Sequence, residues 1–314
     1  MEFKIILGVL LALVLLTTLT AFICFMKVFY SPKRKPVGAD EYPTTPGEIY
    51  EPYKERMVAW IKETRAMPQE AVEIRSHDGL TLRGAYFEKQ KGLPVELMFH
   101  GYQGSYERDL CCGVQRAFAA GRNALLINQR ASGTSDGSVC TFGIKEYQDC
   151  LRWIDFAVQK FGEDCKIVLT GISMGGATVL TAAGQKLPKN VVCVLADCPF
   201  SSAREMIEKT IQEMGLPAKL LYPFVKLGAR LFGGFNLEET TPLQAIQTCE
   251  TPVIFIHGDD DTLVPCEMSQ RLYDACPTKK KLVFIKGAGH GLAYPKDGQT
   301  YVNALIDFQK ECGF

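Results

Sequence analysis

Residues 166–183 read KIVLTGISMGGATVLTAA and change in character at the motif G-x-S-x-G. The part before the motif is a short run rich in β-branched residues, which is typical of a buried strand. The part after it is rich in small and apolar residues and predicts a helix packed closely on that strand. A serine at such a junction, with glycines on both sides, predicts a sharp turn that exposes the Ser173 hydroxyl at the end of a sheet.

Short apolar runs and helical segments alternate from residue 95 to the end of the chain. In residues 144–161, apolar side chains recur every three or four positions and stop at Gly162, which predicts an amphipathic helix. Further helices are predicted at residues 48–65, 106–120 and 300–310. The predicted strands are residues 71–76, 80–86, 95–99, 124–127, 167–170, 191–196, 253–256 and 282–285.

Strands that are apolar on both faces and separated by helices predict a parallel sheet covered by helices on both sides. The first two predicted strands differ, because they flank Asp78-Gly79 and are expected to form an antiparallel hairpin. The predicted fold is therefore a three-layer α/β sandwich with a mostly parallel sheet.

The alternation is interrupted between residues 200 and 241, where no strand-like run occurs. Two segments there, residues 203–214 and 218–232, are helix-like and rich in apolar side chains. An insertion at this end of the sheet would lie above Ser173, so we interpret residues 200–241 as a small helical lid. The alternative is an ordinary pair of packing helices.

A serine hydroxyl needs a base and a carboxylate to act as a nucleophile at neutral pH. The chain has four histidines, and His290 is the best candidate base because it follows the last predicted strand in a glycine-rich loop. Three consecutive aspartates follow the strand 253–256, and Asp261 is favoured because it lies far enough along the loop to clear the strand. The order Ser173, Asp261, His290 is the chain order that accompanies this type of serine turn.

The negative oxygen of a tetrahedral intermediate needs two backbone N–H donors, and the loss of one costs roughly 2.7–4 kcal/mol. Met174, which follows the candidate nucleophile, would supply one donor. We predict that Tyr102 supplies the other, because it lies in the loop after strand 95–99 and Gly101 lets the backbone fold inward.

Six motifs in this order resemble the α/β-hydrolase superfamily, and the likeness extends from about residue 70 to the end of the chain. Within the superfamily the chain resembles the bacterial membrane-anchored serine hydrolases grouped with prolyl-oligopeptidase-like and serine aminopeptidase-like domains. Family members commonly carry Asp-x-Arg-x-His-Gly where residues 128–133 read NQRASG, a departure that lies outside the predicted triad. The six motifs are residues 98–102, 128–135, 171–176, 196–200, 257–261 and 289–291.

The resemblance implies acyl transfer to water, with Ser173 as nucleophile, His290 as general base and acid, and Asp261 as the orienting carboxylate. It calls for neither a metal ion nor an organic cofactor. We expect a carboxylesterase-like serine hydrolase acting on acyl or small lipophilic esters. A peptidase, an aminopeptidase or an acyltransferase would use the same triad, and a catalytically silent scaffold with this fold is a further alternative.

Residues 5–26 contain no charged side chain and are long enough to cross a hydrocarbon core of about 30 Å. We interpret them as a transmembrane helix. A cleaved signal peptide is the alternative, but the apolar run is longer than usual and no clear cleavage site follows it. Residues 27–47 contain four prolines and are predicted to be an extended linker to a domain over residues 48–314.

Basic residues follow the apolar segment at Lys27, Lys33, Arg34 and Lys35, whereas only Lys4 precedes it. This bias predicts a single-pass protein of the cell membrane with its domain on the cytoplasmic side. Eleven of the twelve cysteines lie beyond the segment, and their irregular spacing favours reduced thiols over disulfides or a zinc site.

Positive and negative side chains are balanced, with 35 Lys and Arg against 35 Asp and Glu. A balanced chain has no overall field that would attract nucleic acid. The expected partners are therefore the lipid bilayer, through the N-terminal helix, and a small-molecule ester or acyl substrate.

Overall fold

The computed structural model describes residues 1–33 and 37–314. Arg34, Lys35 and Pro36, which belong to the predicted linker and to its basic flank, lie outside the described residues. Eight strands form one sheet. They are β1 (Glu70–Arg75), β2 (Thr81–Phe87), β3 (Val95–Phe99), β4 (Asn123–Asn128), β5 (Ile167–Ile172), β6 (Val191–Asp197), β7 (Val253–Gly258) and β8 (Lys280–Ile285).

The strand order across the sheet is β1-β2-β4-β3-β5-β6-β7-β8. β2 pairs antiparallel with both β1 and β4, and every other pairing is parallel. The mostly parallel sheet and the N-terminal hairpin are thus both confirmed. In the hairpin, Ile74 lies opposite Leu82.

Helices flank the sheet and precede it. The α-helices are α1 (Glu2–Val28), α2 (Lys54–Ala66), α3 (Tyr106–Asp109), α4 (Gly113–Ala119), α5 (Glu146–Phe161), α6 (Met174–Ala183), α7 (Ala203–Glu213), α8 (Ala218–Gly228), α9 (Pro242–Ala245), α10 (Glu267–Ala275), α11 (Ala293–Lys296) and α12 (Gly298–Cys312). Short 3₁₀ segments cover Glu48–Tyr53 and Ile246–Thr248, and a π turn covers Ala229–Gly233.

The sheet is buried on both faces. In β5, Leu169 packs in one apolar cluster with Trp153 of α5 and Val179 of α6. The preceding residue, Val168, packs on the opposite face with Phe308 of α12. Because successive side chains of a strand point to opposite faces, this pattern places helices on both sides. The three-layer arrangement is confirmed.

Several strands continue beyond their predicted carboxyl ends. β5 extends through Gly171 to Ile172, which pairs with Asp197. β7 extends to Gly258, which pairs with Ile285. Glycine has low intrinsic strand propensity, so sequence periodicity ends early, whereas the neighbouring strands supply hydrogen-bond partners that prolong the sheet.

Two predicted helices are divided in the structure. Residues 106–120 form α3 and α4, which are separated at residues 110–112. A Cβ atom on Gly113 would lie 2.9 Å from Met98 Sδ, so the first residue of α4 packs directly against β3. Residues 48–65 begin as a 3₁₀ segment that contains Pro52, which has no N–H to donate.

One helix in the described chain, α1, is long and apolar enough to cross a membrane. It ends at Val28, two residues beyond the predicted end, and its N-terminal part is exposed. Its C-terminal part is different, because Phe25 is buried among the side chains of the 200–241 insertion. A Cβ atom on Gly228 of α8 would lie 2.4 Å from the Ala21 carbonyl oxygen, so the two helices are in close contact.

The described parts of the predicted linker lie along the domain. The Ser31 N–H donates to the Ser138 carbonyl oxygen at 2.9 Å. Further along, the Arg65 guanidinium of α2 donates to the Ala39 carbonyl oxygen at 2.7 Å. The chain between helix and domain is therefore held by specific contacts at both of these points.

Candidate active site

Ser173 lies at the turn between β5 and α6, with backbone φ 56° and ψ −119°. A positive φ is unfavourable for a residue with a side chain and persists only where the surroundings fix it. Glycines make this turn possible, because a Cβ on Gly171 would lie 2.0 Å from the Gly175 oxygen and a Cβ on Gly175 would lie 2.0 Å from the Phe99 oxygen. The sharp turn predicted from the motif is confirmed.

His290 connects Ser173 to Asp261. Its Nε2 atom lies 2.9 Å from Ser173 Oγ, and its Nδ1 atom lies 2.7 Å from Asp261 Oδ2. A carboxylate can only accept, so Nδ1 carries the proton and Nε2 is left to accept from the serine hydroxyl. The structure therefore brings together three side chains that are up to 117 residues apart in the sequence.

Asp261 is ionised and held in place from several directions. Its Oδ1 atom accepts from the backbone N–H groups of Leu263 and Val264, at 3.0 and 2.8 Å. Burial alone would raise the pKa of Asp261, but hydrogen bonds from His257 and His290 outweigh burial and hold that pKa well below its usual range. A charged carboxylate in this position fixes the orientation of the His290 ring.

His257 is a site residue that sequence analysis does not predict. It is fully buried at the end of β7, with Nε2 2.9 Å from the Val264 oxygen and 3.2 Å from Asp261 Oδ2. Its Nδ1 atom lies 2.6 Å from Ser269 Oγ. The one signal in the sequence is the spacing of four residues between His257 and Asp261. This spacing indicates a contact only once the course of the backbone after β7 is known.

The two predicted N–H donors lie beside Ser173. A Cβ on Gly101 would be 3.6 Å from the Ser173 Cβ, so the loop that carries Tyr102 passes close to the serine. Among the hydrogen bonds of the described residues, none uses the backbone N–H of Tyr102 or Met174. Both backbone N–H groups are therefore free to donate a further hydrogen bond.

The loop around Tyr102 is supported on two sides. His100, fully buried, accepts from the Gln129 N–H at 3.0 Å, and burial lowers the pKa of His100, which keeps the ring neutral. On the other side the Tyr102 hydroxyl donates to the Val28 carbonyl oxygen at 2.6 Å. The last turn of α1 thus contacts the same loop that would bind an oxyanion.

A cavity of about 200 Å³ lies beside Ser173 and His290. Part of its wall comes from the segment before the hairpin, through Thr45, Tyr50 and Met57. Arg116, Thr170 and Asp197 form a polar part of the wall, and Leu110, Cys111, Ile172 and Tyr294 are among its less polar residues.

The described residues that line this cavity include none from 200–241. The insertion does form the expected helices α7 and α8, but their apolar side chains pack with Phe25 of α1 and with Met174. The interpretation of residues 200–241 as a lid therefore stays a prediction. Residues 45–57 contribute to the cavity wall, and the insertion packs against the N-terminal helix.

Comparison with known proteins identifies the family. A sequence profile of the prolyl oligopeptidase family matches residues 141–313. The chain belongs to this family. The *Bacillus subtilis* protein YqkD is 31% identical to this prolyl oligopeptidase family member over 189 residues. That alignment covers 60% of this chain and 62% of YqkD, which is less than two thirds of the relative.

Solved structures confirm the α/β-hydrolase fold of this prolyl oligopeptidase family member. The *Pyrococcus furiosus* esterase Pf2001 matches with a TM-score of 0.66 and 23% identity, over 89% of this chain and 99% of the esterase. The *Pyrococcus horikoshii* acylaminoacyl peptidase matches with a TM-score of 0.56 and 17% identity, over 80% of this chain and 42% of the peptidase.

Potential metal ligands in the described part of this family member form two groups, Cys198 with Asp261 and His290, and His77 with Asp78 and Asp149. In the first group, Asp261 and His290 are already bonded to each other, and burial raises the pKa of the Cys198 thiol well above its usual value. In the second group, both carboxylates accept from Arg130. The carboxylates of both groups are therefore engaged in other contacts.

Proposed function

We propose that this protein is a serine hydrolase that cleaves carboxylic esters of acyl groups or small lipophilic esters. The observation that carries the proposal is the pair of hydrogen bonds at His290, 2.9 Å to Ser173 and 2.7 Å to Asp261. The depressed pKa of Asp261 supports the same assignment, because an ionised carboxylate stabilises the imidazolium that forms during the reaction.

In the proposed reaction, His290 Nε2 takes the hydroxyl proton of Ser173 as Oγ attacks the ester carbonyl carbon. The backbone N–H groups of Tyr102 and Met174 donate to the resulting oxyanion. The intermediate then collapses: His290 gives its proton to the leaving alcohol, and the acyl group stays on Ser173. A water molecule activated by His290 repeats the sequence and releases the acid.

Two observations favour an ester over a peptide substrate. The match to the *Pyrococcus furiosus* esterase covers 99% of that chain, whereas the match to the acylaminoacyl peptidase covers 42%. The cavity of about 200 Å³ is also smaller than the roughly 300–1,000 Å³ of common ligand pockets, which suits a short acyl group.

Labelling with a fluorophosphonate probe tests the nucleophile. We expect the native protein to be labelled, and Ser173→Ala and His290→Ala to lose nearly all labelling. Ser138→Ala, at a half-buried serine away from the triad, is the matched control and should label normally. Normal labelling of Ser173→Ala would refute the proposed nucleophile, and an unreactive native protein would favour the scaffold alternative.

A substrate panel separates the remaining alternatives. We expect p-nitrophenyl esters of short acids to be hydrolysed faster than those of long acids, and aminoacyl p-nitroanilides to be poor substrates. Faster cleavage of the anilides would favour a peptidase or aminopeptidase. Faster release of p-nitrophenol on addition of an alcohol, with formation of a new ester, would favour an acyltransferase.

We also propose that α1 anchors the chain in the cell membrane as a single span, with the catalytic domain on the cytoplasmic side. Phe25 and Phe29 support an anchor over a cleaved signal peptide, because cleavage after the apolar segment would remove Phe25 from a buried cluster of the domain. The absence of disulfides among the described residues, where all twelve cysteines are free, is compatible with a reducing compartment.

A further inference from the structure

The π turn that follows α8 carries two apolar side chains on the surface of the domain. Leu231 is 55% exposed and Phe232 is 38% exposed. The Phe232 ring packs against the rings of Phe22 and Phe25 of α1, at centroid distances of 5.1 and 5.9 Å. Phe22 is itself exposed, so the apolar surface of α1 continues onto the insertion. We call the exposed residues Phe22, Leu231 and Phe232 the junction patch.

The length of α1 sets the depth of the junction patch. A span across a hydrocarbon core of about 30 Å takes about 20 residues, and counted from Ile5 such a span reaches Cys24. The stretch in which every residue is exposed, Ile5 to Leu16, is only about 18 Å long. A spanning α1 therefore includes residues that pack against the insertion. Phe22 lies inside that span, and Phe232, which contacts it, lies at the same depth.

Basic side chains adjoin the junction patch. Arg230 directly precedes Leu231 and is exposed, and the ion pairs formed among the described residues do not include it. Lys27, also exposed, follows the apolar run of α1. Long basic side chains can extend from an apolar region to the lipid phosphates, and the cytoplasmic leaflet is negatively charged. Apolar side chains with cations next to them match the border between hydrocarbon and headgroups.

The argument depends on this continuity with α1. A single exposed leucine or phenylalanine is ordinary on a protein surface and would indicate nothing alone. Leu231 and Phe232 differ because they adjoin a helix that is long and apolar enough to cross a membrane. The occupant that covers the exposed face of α1 would therefore cover them as well.

We infer that the junction patch is a membrane-docking surface whose occupant is the lipid bilayer. Leu231 and Phe232 enter the hydrocarbon border beside α1, and Arg230 contacts lipid phosphates. The inference rests on the proposed membrane anchor and extends it, because the catalytic domain itself then contacts the bilayer through the 200–241 insertion.

Fluorescence quenching by brominated lipid tests the docking. The full-length protein is placed in vesicles of phosphatidylcholine and phosphatidylglycerol, with or without bromine on the acyl chains near the headgroup. Both native tryptophans, Trp60 and Trp153, are buried and give a constant background. We expect Leu231→Trp to lose about half of its added emission in the brominated vesicles, because docked apolar groups lie about 5–10 Å into the boundary.

A matched control uses another exposed aromatic position. Phe284 is exposed on β8, the strand at one edge of the sheet. Phe284→Trp should emit equally in both kinds of vesicle. Emission of Leu231→Trp that is as insensitive to bromine as that of Phe284→Trp would overturn the inference. If that emission instead shifted to the blue with rising protein concentration, a second copy of the chain would cover the patch, and the lipid assignment would be wrong.

A charge reversal tests the contact with phosphate. In the Leu231→Trp protein, Arg230→Glu should reduce the quenching, because a carboxylate is repelled by the anionic lipid surface. Lys186→Glu, at an exposed lysine beyond α6, makes the same change of charge elsewhere and should leave the quenching unchanged. Equal quenching in the two variants would contradict the role of Arg230.

Leu13→Trp separates failure of the docking from failure of the anchor, because Leu13 lies in the exposed part of α1. Its emission is measured in vesicles brominated at mid-chain. Quenching of Leu13→Trp without quenching of Leu231→Trp would remove the docking surface and leave the anchor. Absence of quenching at both positions would remove both.

Discussion

Asp261 is the residue whose ionisation is most closely tied to the site geometry. Its pKa is depressed in the folded state, so its charge stabilises the fold above the unfolded pKa of about 3.9. That stabilisation is lost as the pH falls through the lower folded-state value. We expect Asp261→Asn to reduce the free energy of unfolding by about 1–3 kcal/mol at pH 7, with a smaller difference below about pH 4.

Urea unfolding of the native protein and of Asp261→Asn between pH 3 and pH 7 measures this difference. A difference that stays constant over the whole range would contradict the depressed pKa. The same variant tests the catalytic assignment, since loss of the carboxylate that sets the His290 tautomer should lower kcat by roughly 10⁴-fold.

Gly175 is required at the serine turn for a steric reason. A Cβ there would lie 2.0 Å from a backbone oxygen, which cannot move without displacing β3. We expect Gly175→Ala to lower the free energy of unfolding by about 3 kcal/mol or more. Gly298→Ala is the matched control, because its Cβ would meet only a tyrosine ring at 3.4 Å. Thermal unfolding of the two variants should separate them, and equal melting temperatures would refute the steric argument.

Among single residues, the sequence predicts those whose roles follow from chain order and side-chain chemistry. It does not predict residues whose roles depend on tertiary contacts. Ser173 and His290 could be found because a glycine-rich turn after a strand limits where a side chain can point. His257 and Asp197 also follow or end strands, but their parts in the site depend on contacts with Asp261 and Tyr301. Those contacts join distant segments, so no local pattern contains them.

The contact between α1 and the loop around Tyr102 predicts that α1 stabilises this loop. The hydroxyl of Tyr102 donates to the Val28 oxygen, so Tyr102→Phe loosens the loop without removing its backbone N–H. We expect a loss of about 1 kcal/mol in the free energy of unfolding and a fall in kcat larger than the rise in KM for a short ester.

Tyr147→Phe is the control for that experiment, because the Tyr147 hydroxyl makes no hydrogen bond among the described residues. Chemical unfolding and steady-state kinetics on both variants provide the measurements. A Tyr102→Phe variant indistinguishable from Tyr147→Phe in both would show that α1 does not steady the loop.

The existence of the helices and strands could be predicted from apolar periodicity, whereas their relations across the molecule could not. Residues 200–241 form helices as expected, but apolar periodicity does not indicate that they pack against α1. Part of the cavity wall comes from Thr45, Tyr50 and Met57, which precede the sheet in the chain. No spacing rule connects this segment to a site built more than a hundred residues later.

For the whole molecule, the membrane proposal gives two expected results. Alkaline carbonate should leave the full-length protein in the membrane fraction, and detergent should release it, because residues 2–20 of α1 present an apolar surface outside the domain. Protease added to intact cells should leave the domain uncut. Release by carbonate would refute the anchor, and digestion on intact cells would reverse the proposed orientation.

The packing of α1 against the domain limits where the active site can encounter its substrate. Because Ala21 and Phe25 lie against α8 and Gly228, the domain is not free to swing on a loose tether. If α1 spans a bilayer, the mouth of the cavity stands at a set height above the lipid. Such an enzyme would encounter only ester molecules close to the membrane surface. Its rate of hydrolysis would therefore depend on the amount of ester per unit of membrane area.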